Sequence, residues 1–291
     1  MQLPAPILEV WEKLKTDRNT QLITLCAVLG VVLGILMIVA LCCFTDRSPS
    51  GEASAEASTE AARPTLPPPE ANPYKPEDFY LENGILKCSK AETLMGIDVS
   101  AHQKEIDWEQ VAASGVRFAF VRIGYRGYVY GALSADDYYA ANLEGARAAG
   151  IEVGAYFFSQ AVSVEEALEE AEFALRLLDG YELDLPLVFD WEHMGPESRT
   201  YDTQPRILTD MTIAFCERVK AAGYTPMIYF NSSQALHFMH LEELTDYPFW
   251  LAMYDITMEF PYQFELWQYT NRGTLPGIDT FVDVNLMFVQ E

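Results

Sequence analysis

The chain has 291 residues, 50% of them hydrophobic and 21% charged, so it can bury a sizeable core in one large domain or two small ones. With 19 basic against 43 acidic side chains its formal charge is −24, which argues against a nucleic-acid partner because affinity for phosphates comes from clustered lysine and arginine. The excess acid lies mainly in residues 81–291, so the globular part is itself acidic and its partner is expected to be neutral or to be read through specific contacts.

Residues 22–44 read LITLCAVLGVVLGILMIVALCCF and carry no charged side chain. Such a run exceeds the apolar stretch of a cleavable signal and reaches the ~20 residues that a hydrocarbon core requires. It is expected to be an uncleaved transmembrane helix in a lipid bilayer. Lys13, Lys15 and Arg18 precede it and only Arg47 follows closely, which puts residues 1–21 in the cytoplasm and the C-terminal bulk outside. Residues 45–76 are rich in Ser, Ala, Glu and Pro with few large apolar side chains. They are expected to form a disordered, partly extended linker, since they bury too little surface to offset their ordering entropy.

Residues 77–291 form the expected globular domain. Short apolar runs predict strands over 95–100, 118–125, 152–158, 185–192, 225–231, 249–254, 264–270 and 282–288. Helices are expected over 134–149, opening Ser-Ala-Asp-Asp and stopping at Gly150, over 163–178, with a capping-box start at Ser163, and over 203–222, closed by Gly223. Strand–helix alternation implies a parallel sheet, and eight strands imply closure. The last three strands are joined by connections too short for full helices. The expected fold is therefore an α/β, TIM-like (β/α) barrel with an incomplete helical ring. Cys88 and Cys216 are expected as two unpaired thiols, with a bridge between them as the open alternative. His237 and His240 stand at a helical spacing but no Cys, Asp or Glu ligand pattern is read beside them, so no metal is expected.

The most informative stretch is LPLVFDWEHM, residues 185–194. In a strand, Asp190 and Glu192 face the same side, and at the C-terminal end of a barrel strand that side is the usual catalytic mouth. Two carboxyls held together cannot both ionise freely, so one should keep its proton near neutral pH, as a general acid must. A pair of solvated loop acids would look the same in sequence. Two further acids sit among apolar neighbours, Asp98 between Ile97 and Val99 and Asp283 between Val282 and Val284. A charge there is costly unless paired or functional. Convergence of the strands at one rim accounts for all of them together. The strands also carry Tyr156, Tyr229, Tyr254, Trp267 and Tyr269, and an acidic pocket lined by aromatic faces suits sugar rings.

In order along the chain stand GIDVSAHQ with IDW, VRIGYRG, DDYYAAN followed by GARAAG, VGAYFF, LPLVFDWE, AAGYTPMIYFN, FWLAMY, and WQYT leading to PGIDTFVDVN. Over residues 95–288 these pieces resemble glycoside hydrolase family 25, the lysozyme (N-acetylmuramidase) family that cuts bacterial peptidoglycan. One departure is Lys104, where the family usually has glycine after His-Gln. The resemblance implies a bacterial enzyme that cuts the β-1,4 bond from N-acetylmuramic acid to N-acetylglucosamine in peptidoglycan glycan strands, and the apolar run 22–44, which is not part of the family domain, would anchor it to the membrane. It implies Glu192 as general acid, Asp190 either as the partner of the substrate's 2-acetamido group or in a more direct role, and Asp98 and Asp283 as the electrostatic support of the site. Tyr156, Tyr229, Tyr254 and Trp267 would bind sugar rings. No cofactor is implied, and a monomer is expected. Two alternatives stay open: a wall-binding surface protein without turnover on the same barrel, and a hydrolase of chitin or N-glycans that also uses Asp-x-Glu.

Overall fold

The computed structural model describes residues 66–82, 84–254 and 258–289. The expected cytoplasmic segment 1–21, the membrane helix 22–44 and most of the linker 45–76 lie outside the described residues. Among those described, no helix is long and apolar enough to cross a membrane.

The chain packs before the first expected strand. Ala71 bridges to Tyr262, Asn72 donates to the Phe260 carbonyl at 2.8 Å, and Tyr74 stacks on Phe288 with ring centroids 4.4 Å apart. The end of the expected linker is therefore docked and not a free spacer, because Tyr74 and Asn72 supply an apolar face and an amide that the composition of the segment conceals. A hairpin follows, β1 (Phe79–Glu82) and β2 (Ile85–Cys88), which the sequence reading did not anticipate. Phe79 meets Trp267 edge-on at 5.0 Å and fixes the hairpin to the outside of the barrel.

Eight strands close the barrel: β3 (Thr93–Val99), β4 (Phe118–Arg126), β6 (Glu152–Ser159), β7 (Leu187–Trp191), β8 (Pro226–Asn231), β9 (Phe249–Ala252), β10 (Leu266–Gly273) and β11 (Val282–Phe288). All eight fall within the runs expected from sequence or differ from them at the ends. The order around the sheet is β3-β11-β10-β9-β8-β7-β6-β4, and β3 pairs with β4 to complete it. A short β5 (Leu133–Ala135) lies antiparallel on the outer end of β4. The sheet is not wholly parallel as expected: β11 runs antiparallel to both β10 and β3. Its connection from β10 holds no helix, so the chain turns back as a hairpin.

The helices are α1 (Trp108–Ala113), α2 (Tyr139–Ala148), α3 (Val164–Leu177), α4 (Pro205–Ala221) and the short α5 (Ser232–Phe238). None among the described residues follows β9 or β10, so the ring is incomplete on the expected side. Helix α2 begins later than the sequence implies. Its supposed opening acid, Asp136, is instead buried and accepts from Arg122 and the Ala101 amide, while Ser134 belongs to β5. At α3, Ser163 Oγ caps the Glu166 amide at 3.3 Å, but the capping box is only half made. Glu166 turns to the Val162 amide and to Arg199.

Strand alternation divides the core in two. Phe118, Phe120, Val188, Met227, Trp250 and Leu266 fill the barrel interior, while Ala119, Val121, Ile123 and their counterparts face the helices. Room for the two phenylalanines is made by glycines on adjacent strands. A Cβ on Gly96 would come within 2.2 Å of the Phe118 ring, and one on Gly154 within 2.4 Å of Phe120. This plug fills the lower barrel, and a cavity lies at the rim above it. Cys88 and Cys216 are both buried free thiols.

Candidate active site

The rim cavity, about 190 Å³, is lined by Asp98, Arg122, Tyr156, Phe158, Asp190, Glu192, Tyr229, Trp250, Tyr254, Gln268 and Asp283, with Ser100, His102 and Gln103 at its edge. Most of these stand at C-terminal strand ends, on the parity that points inward. Asp283 joins them because β11 is reversed: its first residues lie where the parallel strands finish. In the β3–β11 register Asp283 is the direct partner of Asp98. Facing residues of paired strands place their side chains roughly 4.5–5.5 Å apart, and like charges there repel.

Burial and this repulsion shape the electrostatics. Asp98 is 6% exposed, and burial, followed by Asp283, pushes its carboxyl up to about 8. Two amides oppose that rise, since Gln268 Nε2 and Asn285 Nδ2 each donate to Asp98 Oδ2 at 2.8 Å. Burial lifts Asp283 to about 6. Asp190 is raised well above the ordinary carboxyl range by burial, then by Glu192 and Asp98, with Arg122 acting against them. Glu192 is raised by burial and then by Asp283. The rise expected for one member of the Asp190–Glu192 pair thus extends to all four acids, so the cluster carries fewer than four charges at neutral pH.

The acids are held from behind by side chains that the sequence reading passed over. Gln268 Oε1 accepts from Tyr229 at 3.1 Å and from Tyr254 at 3.0 Å, while Asn285 Oδ1 accepts from Trp250 Nε1 at 2.9 Å. The Tyr229 hydroxyl also faces Glu192 and works against the rise there. The Glu192 carbonyl receives Gln160 Nε2 at 2.8 Å, and the Trp191 carbonyl receives Gln234 Nε2 at 2.7 Å. Both clamps fix the backbone that carries the acid. Asp190 Oδ1 is buried with no hydrogen-bond partner in the protein. A buried acceptor left unmet is costly, and Asp190 is among the residues that line the cavity.

Of the expected site residues, Asp98, Asp190, Glu192, Asp283, Tyr156, Tyr229 and Tyr254 are all brought together at this cavity. Trp267 is not. It is fully buried on the outer face of β10, against Phe79, and donates to the Met253 carbonyl. Period-two alternation is the reason: Leu266 and Gln268 face inward, so the residue between them faces out. Trp250 supplies the buried indole of the site instead. The signal for Arg122, Gln268 and Asn285 was present in the sequence, as polar residues on inward parity within apolar strands, the same signal that marked the acids. Outside this site, the ligand atoms of His240, Glu242 and Glu243 lie within 4.8 Å of one another, a grouping the sequence reading did not make. His237 is not part of it, and Glu243 is already bonded to Arg206 at 2.5 Å.

The family model for glycosyl hydrolases family 25 matches residues 97–278. The uncharacterized protein YegX of Escherichia coli K12 is 31% identical over 228 residues, covering 73% of this chain and 75% of that one. Lysozyme M1 of Streptomyces globisporus is 27% identical over 258 residues, covering 79% and 84%. Among solved structures, the modular autolysin LytC of Streptococcus pneumoniae, in complex with a synthetic peptidoglycan ligand, superposes with a TM-score of 0.62 at 24% identity. That match covers 72% of this chain and 52% of LytC, so the chain spans about half the length of that protein, and the likeness concerns the fold.

Proposed function

Because the chain belongs to the glycosyl hydrolases of family 25, we propose that it is a muramidase that cuts the β-1,4 bond from N-acetylmuramic acid to N-acetylglucosamine in peptidoglycan. The observation that carries this reading is the meeting of four carboxyls in one cavity, where burial and then Asp283 push the Glu192 carboxyl up and an Asp190 oxygen has no hydrogen-bond partner among the protein groups. Glu192 gives its proton to the glycosidic oxygen as the bond to the anomeric carbon breaks. The substrate's own acetamido carbonyl oxygen attacks that carbon, and its N–H donates to the waiting Asp190 oxygen. Such a donor also favours the ionised form of Asp190 as positive charge builds on the ring. Water then opens the cyclic intermediate and returns a proton to Glu192. Substrate assistance of this kind departs from the usual two-carboxylate schemes. Asp98 and Asp283 tune the field, and Tyr156, Tyr229 and Tyr254 meet the sugar rings.

The apolar run 22–44 and the linker after it support a single-pass anchor in the cell membrane, with residues 77–291 on the outer side facing the wall. Glu192→Gln keeps the shape of the side chain and removes its acid. We expect it to lower release of reducing ends from purified peptidoglycan by about 10²–10⁴-fold with an unchanged circular dichroism spectrum. Near-normal turnover in this variant would overturn the assignment of the acid. Wall binding without turnover by the unaltered chain would favour the non-catalytic alternative.

A further inference from the structure

Strand β7 ends at Trp191, so the acid sits one residue beyond the ladder that aligns its strand. The β6–β7 register stops at the same point, with Ser159 opposite Trp191, and one more step would set Gln160 against Glu192. There the Gln160 side chain takes the place of the ladder. Its Nε2 donates to the Ser159 and Glu192 carbonyls, each at 2.8 Å, and its Oε1 accepts from Thr200 Oγ1 at 3.3 Å. Thr200 Oγ1 also lies 3.5 Å from the Glu192 carbonyl. Two carbonyls call for two N–H donors, which leaves the amide one workable orientation. Gln160 and Thr200 are fully buried, so solvent does not compete for these bonds.

Behind Gln160 stands Glu170 of α3, a fully buried carboxyl that is not among the residues lining the cavity. Its Oε1 accepts from Arg126 Nε at 2.7 Å and, over a longer 3.4 Å, from the Gln160 amide. Arg126 is tied in turn to the Gly131 and Glu166 carbonyls and to Glu169. Burial pushes the Glu170 carboxyl up to about 7, against the Ser159 hydroxyl, Arg126 and the Gln160 amide. The groups that favour its charged form thus come from β4 and from the end of β6. The rest of the buried face of α3 is alanine, at positions 167, 171 and 174. A charge in that row is not needed for stability, because a buried ion pair is often no more stable than apolar side chains of similar volume. What it adds is direction.

We propose that Glu170 is a positioning residue for the acid: with Arg126 it holds the end of β6, and through the Gln160 side chain it fixes where the Glu192 backbone leaves its strand. The inference rests on the assignment of Glu192 above and deepens it. A misplacement of ~1 Å at a reacting group can cost ~10²-fold in rate, so a buried frame of this kind acts on turnover more than on binding.

The test is a cycle in the 291-residue chain with Glu170→Gln, Gln160→Met and both together, read by kcat and KM on soluble, peptide-free glycan strands of peptidoglycan. We expect Gln160→Met to lower kcat by about 10²-fold and Glu170→Gln by about tenfold, with KM within about twofold. Because Glu170 acts through Gln160, the double variant should be no slower than Gln160→Met alone. Losses that multiply overturn the proposal, as does a raised KM at unchanged kcat. Arg126→Met with Glu170→Leu exchanges the pair for apolar side chains, which keeps the fold, and should lose kcat as Glu170→Gln does. Full kcat in that chain also overturns it. Glu172→Gln, on the same helix but paired with Arg218 at the surface, should leave kcat unchanged.

The Glu192 carboxyl, labelled with ¹³C and identified by its absence in Glu192→Gln, is titrated in the same chains. Gln160→Met changes no charge, so a Glu192 midpoint that falls towards the ordinary carboxyl range reads a loss of position. An unmoved midpoint in this variant overturns the proposal. An unaltered chain that releases no reducing ends but shows this fall in both single variants keeps the positioning role and loses the muramidase reading.

Discussion

Lys104 adopts φ +59°, the left-handed conformation that favours glycine. For a residue with a Cβ that costs ~1–2 kcal/mol, so the loop after β3 keeps a glycine-like path in spite of the substitution that marked it in the sequence. The turn is held by the Ser100 amide on Gln103 Oε1 and by Gln103 Nε2 on the Phe281 carbonyl, contacts that tie it to the strand bearing Asp283. Replacing Lys104 with glycine removes the strain but adds freedom to the unfolded chain, which costs ~0.5–1 kcal/mol. The net expectation for Lys104→Gly is a gain of about 0.5–1 kcal/mol, read as a higher denaturation midpoint at unchanged slope. A loss of stability would show that the lysine side chain makes a compensating contact.

At the level of elements, two features of the strands build the site. The first is parity. Asp98, Phe120, Val188, Asp190 and Tyr229 all face inward because neighbouring strands from β3 to β8 keep register, apart from a shift in β4 after Arg122. Trp267 was misplaced for want of this test, although Gln268 beside it is buried, polar and bonded to Asp98. The second is the reversal of β11, which sets Asp283 opposite Asp98. The glycines opposite Phe118 and Phe120 keep these strands close. Gly96→Ala is expected to destabilise the fold by about 1–3 kcal/mol through overpacking. Phe118→Leu in the same chain should recover part of that loss in chemical denaturation, because it frees the space the new methyl needs.

For the whole molecule, the cluster makes folding sensitive to pH. Asp98, Asp190, Glu192 and Asp283 hold their protons more tightly in the folded chain than in the unfolded one. Their contribution to stability is therefore complete at pH values below the ordinary carboxyl range. It is lost as the pH rises through about 6 for Asp283 and about 8 for Asp98. Asp78 and Glu172, lowered by hydrogen bonds from Lys90 and Arg218, act in the opposite sense and lose their contribution as the pH falls through the acid range. The melting temperature should accordingly peak on the acid side of neutrality and decline towards pH 8. Asp283→Asn removes one repelling charge and should flatten that decline while impairing turnover. An unchanged alkaline slope in scanning calorimetry of this variant would mean that the cluster does not govern it.

The order of eight strands, most of the helix stops and the acids on three of the strands were readable in the chain, because hydrophobic period, glycine placement and a charge among valines are local signals. The fold class and the seven residues that meet at the cavity followed from them. The sequence could not tell which way β11 runs, which aromatics turn inward, or that Asp136 is a buried partner of Arg122 and not a helix cap. Those are decided by strand pairing, since a side chain's face depends on its neighbour's register. Nor did composition reveal that the chain around Tyr74 packs on the barrel, for its cost or gain depends on Phe288, more than two hundred residues away along the chain.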